Sequence, residues 1–142
     1  MLDEQLDDAV ALALNALSGR HGMTFESLRT IGPGTKDSAI PALCGQRGFD
    51  ALVSANVKDF GARLPLYERL LESDISVVVV RPGHETLTPE VQVSILSLHS
   101  REIGWRLSDK PPTLLRVTRS EVKERSLDEL LNEILGEERQ LP

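Results

Sequence analysis

Three short stretches of the chain bring oxygen side chains together with turn signals. Asp3 and Glu4 stand just before a periodic apolar segment, and Asp37 follows a turn rich in Gly and Pro. Asn56 and Asp59 follow the short apolar run Ala51, Leu52 and Val53. Carboxylates drawn to one place repel one another, so such a group calls for a cation. Hard oxygen donors suit Mg²⁺ or Mn²⁺, which keep waters and bind phosphate oxygens. A cation held in this way can activate water and neutralise charge at a phosphodiester. Each acid also has a plain structural use. Asp3 and Asp37 are good helix N-caps, Glu4 suits a first helical turn, and Asp59 suits a polar loop.

The elements that must position these side chains follow from periodicity and punctuation. Leu6, Val10, Ala13, Leu14 and Leu17 recur at helical spacing, with Gly19 and Gly22 as stop signals. Residues 23–28 predict a short strand, and "IGPGTKD" (31–37) predicts a turn. A short helix is expected over 38–46, capped by Asp37, with Pro41 near its start. A strand over 51–54 and a helix over 65–73 follow. "ISVVVVRPG" (75–83) is the clearest strand, because an unbroken β-branched run means burial on both faces. Thr88 should cap a helix with Pro89 at its first position, carrying Val91, Ile95, Leu98 and His99 on to about Ile103. A strand over 113–118 comes next. Ser126 and Glu129 form a capping box ahead of a helix over about 126–136, and 137–142 reads as a frayed tail.

Strands alternating with helices predict an α/β chain with a mostly parallel sheet covered on both faces. Ligands on such sheets sit beyond the carboxyl ends of the strands. The polar residues just after strands therefore matter most: Asn56 and Asp59, Arg81 and His84, and Arg119. A strand should also precede the first helix, yet only Met1 and Leu2 stand before Asp3. Either that strand is very short or the chain begins late.

The 142 residues predict one domain with a core of its own. The net charge of −6 argues against recruiting nucleic acid by bulk field, leaving a local basic rim or a bridging cation as the means. The single cysteine, Cys44, excludes an internal disulfide and fits a reducing compartment; among apolar neighbours it reads as a buried thiol. There is no signal-peptide pattern and no apolar run of membrane-spanning length, so the expected location is cytoplasmic. His21, His84 and His99 lack zinc-type spacing. "GPGTKD" lacks the lysine-hydroxyl ending of a P-loop.

"LDEQL" near the start resembles the first acidic motif of PIN-like nucleases, in the compact toxin-type branch where an Asp-Glu pair leads into the first helix. "IGPGTKDSAI" resembles that branch's second motif, and "LVSANVKDF" its third, in which a strand ends in Thr or Ser, then an acid, then Asp-Phe. Order and spacing match over roughly residues 2–83. The resemblance implies a three-layer, Rossmann-like PIN fold and a Mg²⁺- or Mn²⁺-dependent ribonuclease, often the toxin of a toxin–antitoxin pair. It implies Asp3, Asp37 and Asp59 as catalytic acids, and those three with Asn56 as metal ligands. Glu4 and Ser54 would be auxiliary. Apart from the resemblance, the strand order puts Lys36, Lys58, Arg63 and Arg81 near the same edge, with Lys58 and Arg81 as the expected RNA contacts. Asn56 stands where the family usually has an acid. An amide oxygen can ligate a metal but brings no negative charge and cannot act as a general base. A PIN-like protein that binds RNA or a protein partner without cutting is therefore the alternative. A phosphoacceptor signalling domain, which also gathers acids at strand ends, fits less well, since its acceptor position here is an amide and Arg119 replaces the expected lysine. The partners considered are RNA, an antitoxin protein and a second copy of the chain.

Overall fold

The computed structural model describes residues 1–2, 34–55, 60–81, 88–109 and 112–140. A 3₁₀ turn, Asp37–Ala39, leads into α1 (Ile40–Arg47), β1 (Ala51–Ala55), α2 (Phe60–Glu72) and β2 (Ser76–Val80). Then come α3 (Pro89–Leu98), α4 (Ser100–Asp109), β3 (Leu114–Val117), β4 (Val122–Glu124) and α5 (Leu127–Gln140). The four strands lie in the order β1-β2-β3-β4. The first three are parallel, and β4 closes the far edge antiparallel to β3. The predicted α/β class with a mostly parallel sheet is thus the observed one. The expected strand over 23–28 and the first helix lie outside the described residues.

Strand alternation sorts the core into two faces. Leu52, Val77, Val79 and Leu114 point to one, where they meet Ile40 and Cys44 of α1, Leu66, Tyr67 and Leu70 of α2, and Leu130 of α5. Val53, Val78, Val80, Leu115, Val117 and Val122 point to the other, against Ile95 and Leu96 of α3 and Ile103 of α4. Every residue of β2 is buried, as its β-branched run predicts for a central strand covered on both sides. On the edge of β1 away from β2, Leu2 makes an isolated parallel bridge to Val53, and the Met1 carbonyl accepts from the Val53 N–H at 2.7 Å. Leu2 is fully buried there.

Several boundaries differ from expectation for identifiable reasons. α2 begins at Phe60, with Pro65 inside it. Pro at a helix start is the common case, which is why the sequence points to 65; here it lies inside the helix, which forgoes one backbone bond in its second turn. The single helix expected from Thr88 to about Ile103 is two. Thr88 caps α3 as predicted, its hydroxyl accepting from the Val91 N–H at 3.3 Å, but His99 breaks the helical course. Around the break the Ser97 and Ser100 hydroxyls bond back to the Ser94 and Ser97 carbonyls, the local competition that serine offers a helix. The Ser126 and Glu129 capping box is formed, with bonds of 3.2 and 3.3 Å. α5 then runs on to Gln140, past the expected end at 136, so 137–140 is helix rather than tail. Glu137, Glu138, Arg139 and Gln140 are strong helix formers, and they carry the helix through Gly136. β4 has no strand pattern in the sequence; only three residues long, it follows a tight turn in which Thr118 N–H donates to the Glu121 carbonyl.

Among the described residues, no helix is long and apolar enough to cross a membrane.

Candidate functional site

The first face of the sheet changes character along the strands. Toward the amino ends it is apolar, with Leu52, Val77 and Leu114 under Leu130. Toward the carboxyl ends polar side chains take over: Ser54 in β1, Arg81 just past β2, and Arg116 in β3. This is the edge where parallel α/β sheets take ligands.

Ser54 is fully buried, and its hydroxyl lies 2.8 Å from the Tyr67 hydroxyl on α2. α2 returns from the carboxyl end of β1, so its first turns sit over that edge. Arg63 is one turn closer to the edge than Tyr67, about 6 Å along the helix axis. Its Nη1 donates to Asp37 Oδ1 at 3.1 Å. Asp37 is therefore not the helix cap that its position suggests. Lys36 and Ala39 occupy the two N-cap positions, neither with a side-chain cap bond, and the Asp37 carboxylate turns instead to α2. The 3₁₀ turn packs against both α1 and α2, which fixes Asp37 beside the helix that directly follows Asp59 in sequence.

Arg81, expected to reach RNA phosphate, is buried, with its side chain only 3% exposed, and it pairs with Glu133 of α5 at 3.6 Å. Its N–H donates to the Val117 carbonyl, which holds the chain against β3 as β2 ends. Glu133 also accepts from Arg116 Nη1 at 3.0 Å and from Arg125 Nε. Arg116 in turn donates to Glu121 at 2.7 Å, and Lys123 pairs with the same carboxylate at 3.2 Å. One acid of α5 thus gathers three guanidinium groups from the sheet edge and the segment leading into the helix. Sequence reasoning passes over Tyr67, Arg116 and Glu133. The visible signal is an arginine within "TLLRVT", a run apolar at Leu114, Leu115 and Val117, which calls for an acid from elsewhere in the fold.

Two further residues singled out from sequence have structural partners. The His99 Nε2 lies 3.0 Å from the Arg119 carbonyl, and Arg119 Nη1 donates to the Ser94 hydroxyl at 2.9 Å. Together they tie the loop after β3 to α3. Of the expected site, Asp37, Ser54 and Arg81 are placed; Asp3, Glu4, Asn56, Lys58 and Asp59 lie outside the described residues, as do His21 and His84. Among the described residues, no group of three or more His, Cys, Asp or Glu side chains is arranged to hold a metal ion.

Comparison with protein families, with curated proteins and with solved structures finds no match.

Proposed function

We propose that the chain is a PIN-like, metal-dependent endoribonuclease, with the toxin of a toxin–antitoxin pair as the setting that its motifs suggest. One observation carries this reading. Asp37 of the second motif is held at 3.1 Å by Arg63, within the first two turns of the helix that the third motif leads into. A residue of the second motif is thus tied to the helix that follows the third. Just before the first motif's acids, Leu2 bridges Val53 of β1 in the parallel sense.

The donor chemistry fits a hard cation. Asp37 offers a half-exposed carboxylate, and Asp3, Asn56 and Asp59 would complete an all-oxygen set. When bound, Mg²⁺ or Mn²⁺ would lower the pKa of water and neutralise charge on a scissile phosphate. The chain's own contribution is placement. Arg63 orients Asp37, the Ser54–Tyr67 hydrogen bond pins α2 to β1, and the Glu133 cluster fixes the ends of β2 and β3.

The test is cleavage of single-stranded RNA by purified protein with Mg²⁺ or Mn²⁺. Activity should fall on the order of a hundredfold or more in Asp37→Ala and in Asp59→Ala. Intact RNA in both metals would sink the proposal. Asn56 favours a second reading, a binding protein with a degenerate site. A gain of metal binding or cleavage in Asn56→Asp, from an inactive parent, would select it.

A further inference from the structure

Among the described residues, the large apolar side chains left open to solvent are Leu98, 62% exposed, and Trp105, 63% exposed. Single apolar residues scattered over a surface are ordinary; two large ones on one side of one helical stretch mark a contact face. Seven residues separate them, two helical turns, or about 10 Å along the axis. The bend at His99 falls between α3 and α4, yet the helical bonding crosses it. The His99 N–H donates to the Ile95 carbonyl at 3.4 Å, and the Ile103 N–H to the His99 carbonyl at 2.9 Å. The stripe therefore continues over the bend, with Arg101 and Glu102 exposed between the two apolar residues. Leu96 and Ile103, on the other side, are buried against the sheet. The Glu102 side chain is 43% exposed and accepts from Arg106 at 3.2 Å. Arg101 has no hydrogen-bond or ion-pair partner among the described residues.

Along the stripe the order is apolar, base, acid, apolar. That order matches itself when a second copy of the stripe crosses it antiparallel. We propose that this face joins two copies of the chain about a twofold axis passing between residues 101 and 102. Leu98 of each copy then meets Trp105 of the other, and Arg101 of each meets Glu102 of the other, every contact occurring twice. Two chains of net charge −6 repel, so the surface between them has to be neutral, and the four facing charges cancel. Tryptophan and arginine are also the side chains most enriched where proteins meet. One helical stripe is a small contact, so the dimer is a weak one that fills with concentration. The inference stands apart from the nuclease reading, since it uses no residue of the proposed site.

The experiment is sedimentation equilibrium of the whole chain, from low micromolar to near-millimolar concentration, with tryptophan emission read alongside. Trp105 is the chain's one tryptophan, so its emission should move to the blue as the dimer fills. Trp105→Ala should weaken association about tenfold or more. Arg101→Glu sets acid against acid across the axis, and Glu102→Arg sets base against base; each alone should also associate about tenfold or more weakly. Mixed in equal amounts, the two charge variants should associate again, because the mixed pair has acid facing base at both places. A structural defect in either variant cannot produce that gain. Should Trp105→Ala not fold, the charge variants decide alone. A wild-type chain that stays monomeric throughout overturns the proposal. Undiminished association in Trp105→Ala or in the separate charge variants also overturns it, as does no recovery on mixing. RNA cleavage enters none of these readings, so the dimer and the nuclease stand or fall separately.

Discussion

The Glu121 carboxylate lies 3.2 Å from the Lys123 ammonium and 2.7 Å from the Arg116 guanidinium. Its hydrogen bond to Lys123, and then the charges of Lys123 and Arg116, hold its carboxyl below the usual value of 4.5, against an opposing effect of desolvation. A depressed folded-state pKa means stability that is present in full above the unfolded pKa and is lost as pH falls through the folded one. Wild type should therefore exceed Glu121→Gln in urea midpoint at neutral pH, and the gap should close as pH drops below 4.5. A gap that stays constant to low pH would show that the carboxylate charge is not what Glu121 contributes. At this scale the sequence names residues better than their partners. Asp37 and Ser54 stand out because they follow a turn and a strand. Their partners on α2 lie 26 and 13 residues away, and only the phase of that helix brings them in. With the helix expected to start at Pro65, Arg63 falls in the preceding loop, and its pairing with Asp37 is invisible.

α5 illustrates the same limit one level up. Its capping box and its leucines predict a helix that packs on the sheet, and Leu130 does so. Nothing in that pattern marks Glu133 as the acid shared by Arg81, Arg116 and Arg125. Those arginines come from three separate places in the chain, and their convergence depends on the sheet order. Removing the shared charge weakens three charge-assisted contacts at once. Glu133→Gln should lower stability by about 1–2 kcal/mol in urea unfolding. A loss near zero would mean that α5 is held by its leucines alone. Elements whose signal is local were legible: the β2 run, the Thr88 cap and the Ser126 box. The misread ones depend on context, including Pro65 within a helix, the break at His99 and the three-residue β4 that exists only because β3 is beside it.

For the whole molecule, the sheet's two faces explain why the class was legible from alternation alone. Each parallel strand feeds one layer with its odd residues and the other with its even ones, and helices cover both. Under the proposed nuclease reading, the net charge of −6 would leave RNA contact to local groups, and Arg81 and Arg116 are already taken up by ion pairs with Glu133. The proposed site belongs to this scale too, since its three motifs, far apart in sequence, would converge only if the sheet brought their strand ends to one side.

Cys44 is the chain's single cysteine and is fully buried in α1, the helix that the Asp37 turn leads into. A thiol reagent can reach it only when that helix lifts from the sheet, so its labelling rate is a clock for one specific opening motion. Under native conditions modification should be slow and single-phased. If Asp37 holds a cation, adding Mn²⁺ should slow the clock further, because a ligand that binds only the closed form lowers the population of the open one. The same slowing should vanish in Asp37→Ala, which turns a silent core residue into a reporter of metal occupancy that needs neither RNA nor turnover.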